Sequence, residues 1–463
     1  MMIIIVGGGI AGLAAAHELA RRDVPFILVE ASDRAGGLIL TEQVSGFTID
    51  GGADSLLAQK PAAIQLCTEL GLAHRLMHTT PPRTAFVLKK RLHALPSPSV
   101  LGIPTTAAGL ARYDLLSWVA RARIALEPLV PARVQTDESV ASFFRRRFGR
   151  ATVDLIAEPL LGGIHAGDVD RLSMLSLFPR LVAAEHRPGK VLRNVSHGRA
   201  PKPDGIFRAL RSGMGELVTA ILSQLPAGSV RLNAPAASLQ RTAASWRLAA
   251  GSEMLDGAAV IIAAPAPTAR ELLGGVDDAA ARICDSVPYV STVSVALGFR
   301  RDSIRHPLAG SGFVVARRRN SLRITACTWA SSKWESRAPE GHALLRAFIG
   351  GAHDPGAVDA GDAELVDVAL RDLSGVLGIS GQPVLARVYR WRNAGAQHHV
   401  GHRARMVGLG ERLRALPGLF VAGSGFGSIG IPDCIAHGRS AAAAAVNYVR
   451  MRSARRDDRV TFT

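Results

Sequence analysis

The chain has 463 residues, 48% of them hydrophobic and 20% charged, with a net charge of +17 and only four cysteines. That balance suits a globular protein of two or three domains and excludes a disordered or collagen-like chain. Cys67, Cys284, Cys327 and Cys434 are far apart and form no CxxC pair, which argues against a disulfide framework or a structural zinc and suits a reducing compartment. Only six of the 55 basic residues are Lys. An Arg excess of this kind reads as genome base composition, as attraction to an anionic membrane, or as steering of an acidic substrate into a cleft. No nucleic-acid motif accompanies the charge, so no nucleic-acid partner is expected.

The run Met1–Ala16 has no basic leader, and no segment approaches the ~18 apolar residues of a spanning helix, so any membrane contact is expected to be peripheral. Ile3–Val6 is a short β-branched run that suits a buried parallel strand. Gly7, Gly8, Gly9, Ile10, Ala11 and Gly12 follow and satisfy GxGxxG. Helical periodicity over Leu13–Arg22 and a second strand over Phe26–Val29, ending at Glu30, complete the unit. The first glycine permits a tight turn, the second lets the backbone approach a pyrophosphate, and the third lets helix and strand pack closely. The helix N-terminus offers N–H groups and a positive dipole to phosphates, and Glu30 can accept from ribose hydroxyls. Strand, turn, helix and acidic strand end together define a dinucleotide site rather than a bare Gly-rich turn.

After Glu30 and Ala31 come Arg34, Gly36, Gly37 and Leu38, and further on Gly52, Ala53, Asp54 and Ser55. Glu-x3-Arg-x-Gly-Gly resembles the flavin amine oxidase superfamily, whose nucleotide is FAD. Leu92–Pro96, Gly213–Leu217 and Gly418–Ala444, with Gly430-Ile431-Pro432-Asp433-Cys434 at its centre, are similar to segments of the HemY-type protoporphyrinogen or coproporphyrinogen oxidases. Trp391–His402 looks like another, with Ala396 and His398 where that family has Pro and Tyr. Gly427-Ser428 stands where an Arg-Gly pair is frequent, and Ala236 where the adenine usually meets a Val. The resemblance implies non-covalent FAD held by Gly7, Gly8, Gly9, Ile10, Ala11, Gly12, Glu30, Ala31, Arg34, Gly37, Leu38, Gly52, Ala53, Asp54 and Ser55, and by Ala236, Trp391, Ser424, Ile429, Gly430 and Ile431. It implies six-electron oxidation of a tetrapyrrole porphyrinogen by oxygen in heme biosynthesis, catalysed on the flavin, with no catalytic acid or base named by the sequence. Arg83 is the candidate for a substrate carboxylate. The alternatives are another flavin amine oxidase, a carotenoid-type desaturase, or a non-catalytic FAD-binding protein of the membrane surface.

The expected fold is α/β: a discontinuous Rossmann-like FAD domain (1–80, 213–275, 400–449), a mixed-sheet substrate domain (81–96, 276–399), a helical, Arg-rich section (97–212) that faces either solvent or a membrane, and a frayed basic tail (450–463). Strands are expected at Ser229–Asn233, Trp246–Ala249, Val260–Ile262, Thr292–Phe299, Ala343–Ile349 and Leu419–Ala422, a loop at Pro96–Pro104, and an Ala-rich helix at Ile435–Val449. That last strand–turn–helix would aim its helix N-terminus at the electron-rich edge of a reduced flavin. His398, His399 and His402 lack further ligands at metal spacing, so no metal is expected. The expected location is the cytoplasm, on the inner face of the membrane if peripheral. The oligomeric state is left open.

Overall fold

A computed structural model describes residues 2–132, 137–187, 191–196, 204–243 and 245–460. Strands Ile3–Val6, Phe26–Val29, Val230–Arg231, Ala259–Ile262 and Leu419–Val421 form one parallel sheet, in which Ile3–Val6 lies between Phe26–Val29 and Ala259–Ile262. Ile3, Ile4 and Ile5 are fully buried because both faces are covered, which explains their uninterrupted apolar run. Helix Ile10–Ala20 packs on one face with the last helix, through Leu13, Ala14, Ala442 and Ala445. An antiparallel meander over Ala236–Gly257 and helix Ala266–Gly274 cover the other.

A second sheet has seven strands, in the order Leu385–Ala396, Tyr289–Arg300, His342–Gly350, Ala326–Trp329, Gly312–Val315, Ala85–Leu88 and Leu92–Ala94. It is mixed, with one parallel pair between Gly312–Val315 and Ala85–Leu88. Strand alternation sends Val293, Val295, Leu345, Ala347 and Ile349 to one face, where helix Asp362–Leu377 covers them with Leu365, Val368 and Leu373. The opposite face carries Thr292, Ser294 and Ala296 in register with Gly350, Phe348 and Arg346 on one side and with Trp391, Tyr389 and Arg387 on the other.

Between the sheets' segments lies a helical layer whose core is Phe143, Phe144, Phe148, Ile156 and Leu161, packed against Val87 and Ala316 of the second sheet's end. Much of its Arg content is structural. Arg147 is 3% exposed and pairs with Glu127 and Glu185, and Arg318 reaches across to Asp154 and Asp170. No helix among the described residues is long and apolar enough to cross a membrane.

Several expectations shift. The stretch to 212 is not helical throughout, because Phe207–Leu210 is a strand between Leu56–Leu57 and Leu76–His78. Pro96–Pro104 holds a short hairpin rather than a plain loop. The strand expected at Ser229–Asn233 keeps only Val230–Arg231, since Asn233 turns with φ +53°. The last helix starts at Ile431 and continues to Val460, so residues 450–460 are not frayed. Beyond Gly438 an Ala- and Arg-rich sequence with neither Gly nor Pro offers no reason to stop. Within the expected Arg-rich section Lys190, Arg199 and Lys202, and within the tail residues 461–463, lie outside the described residues.

Candidate functional site: a dinucleotide cradle beside a mixed sheet

The first turn has the geometry its glycines suggest. A Cβ on Gly12 would overlap the Gly7 carbonyl oxygen and stand 3.3 Å from Ala263 Cβ, so the helix can approach the strand this closely only with Gly there. A Cβ on Gly9 would meet nothing within 4 Å, so that side of the turn is open for a ligand. The Glu30 carboxylate accepts from the Gly8 N–H at 2.6 Å and from the Ser32 N–H and hydroxyl at 2.9 and 2.7 Å. It is thereby fixed at the rim with exposed Ala31 beside it. The Arg34 guanidinium donates to the carbonyls of Gly37 (2.8 Å) and Ile39 (3.2 Å), and the Gly36 N–H to that of Gly8 (2.8 Å). Arg34 thus braces the loop that lays Gly37 and Leu38 against the turn. Ala234 donates its N–H to the Glu30 carbonyl, bringing the strand that begins at Ala236 to the same rim.

The 50–55 turn is the next layer. A Cβ on Gly52 would overlap the Leu38 carbonyl, and the Trp391 indole closes on the same spot, donating to Gly51 O at 3.1 Å. The Asp54 carboxylate meets Lys333 Nζ at 2.9 Å and accepts from Ser55 Oγ at 2.8 Å. Burial alone would raise its pKa, but Lys333 and then Arg346 outweigh that and hold it well below the usual carboxylate range. Asp50 is also buried, 3.1 Å from Arg337, and accepts from Thr41 Oγ1 and the Met214 N–H. There burial prevails and pushes the carboxyl up.

The second Gly-rich turn follows strand Leu419–Val421 and ends at Ile429 and Gly430, with Ile431 as the first residue of the last helix. His398 Nε2 donates to the Ser424 carbonyl at 2.7 Å, and Lys60 pairs with Asp433 at 2.5 Å. Burial pushes the Cys434 thiol up to about 12, so it is no ready thiolate. Both helices that open on Gly-rich turns therefore begin at the carboxyl ends of the parallel strands, the usual ligand side of such a sheet. An open backbone at Gly9, a fixed carboxylate and a second helix N-terminus fit a flavin dinucleotide.

The second sheet's other face, partly covered by Phe47 and Ile49 of the hairpin Thr41–Asp50, carries half-buried Thr292, Phe348, Tyr389 and Trp391, and Trp391 joins it to the Gly51–Gly52 turn. The structure does not bring Arg83 into contact with these groups: its Nε donates to Thr79 O (2.7 Å) and Oγ1 (3.1 Å), and it lies against Gly205 beside Arg208. Among the described residues no His, Cys, Asp and Glu cluster suits a metal ion. Sequence reasoning missed Lys333 and Arg346, although a charged residue inside the apolar run Ala343–Ile349 was a visible signal. It also missed the π-helix Val153–Gly162, which carries Pro159 inside it and places buried Glu158 3.4 Å from Arg317.

Fold and cradle define a flavin-dependent oxidoreductase of the two-sheet, FAD-binding type. Residues 10–446 match the family model described as flavin containing amine oxidoreductase. The chain is 36% identical over 464 residues to the coproporphyrinogen III oxidase of Bacillus subtilis (strain 168), covering 96% of this chain and 98% of that one. It is 30% identical to the coproporphyrinogen III oxidase of Staphylococcus aureus, covering 95% and 98%. A solved structure from Exiguobacterium sp. 255-15, provisionally named a protoporphyrinogen oxidase, superposes with TM-score 0.86 at 31% identity, covering 97% and 99%. The chain belongs to the flavin containing amine oxidoreductase family, in its HemY-type porphyrinogen oxidase branch, and FAD is its cofactor.

Proposed function

We propose that the chain oxidises coproporphyrinogen III to coproporphyrin III in heme biosynthesis, with oxygen as the electron acceptor. The observation that carries this reading is the end-to-end similarity to proteins named coproporphyrinogen III oxidase. The bound FAD supplies the hydride-accepting chemistry, and three rounds account for six electrons and three molecules of hydrogen peroxide.

The protein's part is positioning and exclusion of water. Gly7–Gly12, Glu30, Ala31, Arg34, Gly37, Leu38 and Ala236 hold the nucleotide half of the cofactor. Gly52–Ser55, Trp391, Ser424 and Ile429–Ile431 hold the flavin half. Half-buried Phe348 and Thr292 offer part of a wall for a large flat macrocycle, on a face that also carries Ser294, Arg346 and Arg387. Its propionates need cations, and we assign that task to Arg83, with Arg208 beside it, which among the described residues donates to the carbonyls of Asp204, Gly205 and Phe207. No acid or base is assigned, since pyrrole protons can leave to solvent.

We also propose a cytoplasmic location with peripheral contact to an anionic membrane. Support for the membrane contact comes from Trp118 and Val119, 73% and 81% exposed at the start of helix Trp118–Ala125, and from Leu129, 78% exposed in the 3-10 turn Glu127–Leu129 that follows it in the Arg-rich helical layer.

Anaerobic mixing with coproporphyrinogen III should bleach the flavin, and admission of oxygen should then allow the remaining rounds and raise a porphyrin Soret band, both faster than with protoporphyrinogen IX. Equal or faster reaction with protoporphyrinogen IX would overturn the substrate assignment. No reaction with either would return the chain to the amine oxidase, desaturase or non-catalytic alternatives.

A further inference from the structure

Five charged side chains stand around the 50–54 turn. Asp50 is paired with Arg337 at 3.1 Å and Asp54 with Lys333 at 2.9 Å. The fifth, Arg346, is 2% exposed and meets only neutral oxygens. Its Nη2 donates to Gly52 O at 2.8 Å and Gly51 O at 3.4 Å, and its Nε donates to Ser294 Oγ at 3.1 Å. The Phe348 ring lies 5.0 Å from its Cζ. Among the described residues no carboxylate comes within ion-pair distance of it. Three cations against two carboxylates leave one positive charge in excess, buried directly behind the carbonyls of the turn.

A strut for two carbonyls needs only neutral donors. Ala343, Leu344, Leu345, Ala347 and Ile349 make the strand otherwise apolar, and a buried cation without a counter-ion is costly. Burial indeed works against the Arg346 charge and lowers its pKa, although the more distant Asp54 and Asp50, and to a smaller degree Tyr389, favour it. Such a charge is well used where negative charge develops in a water-poor site, because a preorganised cation then needs no reorganisation.

We propose that Arg346 is an electrostatic positioning residue that raises the reduction potential of the flavin held against the Gly51–Asp54 turn. The proposal rests on the reading of that turn as flavin support. Reduction adds negative charge beside the turn, and the fixed guanidinium lowers the cost of adding it. Asp54 and Lys333, as a neutralised pair, leave that excess charge uncancelled.

The test is the flavin midpoint potential, read spectrophotometrically against a reference dye without any porphyrinogen, so that an error in the substrate assignment does not affect it. Arg346→Gln should weaken binding of reduced FAD relative to oxidised FAD at least tenfold, which is a fall of ~30 mV or more for a two-electron couple. Arg346→Lys, which keeps the charge and loses the fork, should stay nearer to wild type than to Arg346→Gln. If Arg346→Gln purifies without flavin, titration with oxidised and with reduced FAD gives the same ratio. Asp54→Asn, which increases the positive excess, should shift the potential upwards and serves if Arg346→Gln fails to fold. An unchanged ratio in Arg346→Gln, an equal fall in Arg346→Lys, or a downward shift in Asp54→Asn would overturn the proposal. Wild-type protein that binds no FAD would instead remove the cofactor reading on which it stands.

Discussion

Gly9 and Gly12 are three residues apart, yet substitution by Ala should act on them in opposite ways. At Gly12 the added methyl would overlap the Gly7 carbonyl oxygen and lie 3.1 Å from its carbon, with Ala263 Cβ at 3.3 Å. Both strand backbones there are in the sheet core, so the helix must move. Overpacking of this kind costs ~1–3 kcal/mol, offset by at most ~1 kcal/mol from the better helix propensity of Ala. The net effect is a loss of ~1–2 kcal/mol in the FAD-free protein, with a further loss of FAD affinity because the turn shifts. At Gly9 the methyl meets no protein atom within 4 Å, so the FAD-free protein should keep its stability. The same methyl fills the space that the phosphates need, so FAD affinity should fall at least ~100-fold if the backbone approach is as close as the motif requires. Thermal unfolding of the FAD-free proteins and quenching of FAD fluorescence on binding separate the two effects. Tight FAD binding by Gly9→Ala, or an unshifted melting temperature in FAD-free Gly12→Ala, would refute the assignment of roles within the turn.

The buried histidines should make stability acid-sensitive. Burial lowers His165 to about 4 and His402, also disfavoured by its stacked neighbour His398, to about 3. Each takes up a proton in the unfolded chain below about 6.5 but not in the fold, so the stability present above that pH is lost as pH falls towards 4. The slope is up to ~1.4 kcal/mol per pH unit for each histidine, and His402→Phe should flatten a urea-unfolding series between pH 6.5 and 4.5; an unaltered slope would contradict this. Arg337→Met strands the 3%-exposed Asp50 and removes donors to Leu210 O and Arg211 O, and should cost ~3–5 kcal/mol. Asp50→Asn in the same chain should recover part of that in urea titrations, and no recovery would mean that the pair does not interact. Trp118→Ser with Leu129→Ser should abolish sedimentation with anionic vesicles while leaving flavin content unchanged; undiminished sedimentation would remove the membrane assignment from this surface.

The opening strand, turn and helix were legible because their information is local. Backbone hydrogen bonding, the steric limits of Gly and the spacing from Gly12 to Glu30 all fall within one supersecondary unit. Long-range consequences were less legible. The basic composition suggested a charged surface, yet Arg147 and Arg337 are 3% and 1% exposed and tie segments together. The helix past Val449 was read as a frayed tail because charge was weighed above helix propensity. Arg83 commits its Nε to Thr79, a local bond that the sequence did not announce.

The sequence by itself determined the dinucleotide turn, the α/β class and, through Gly430–Cys434, the branch of the family. Those follow from short-range sterics and from motifs that do their work within a few residues. Only the tertiary structure decided that Gly51 and Gly52, 39 and 40 residues beyond Gly12, are closed over by Trp391 and backed by Arg346. Strand register and the covering of one sheet face by helix Asp362–Leu377 leave the other face to the cradle. A lone Arg in an apolar strand has no meaning until the fold shows which carbonyls it meets and which carboxylates it lacks.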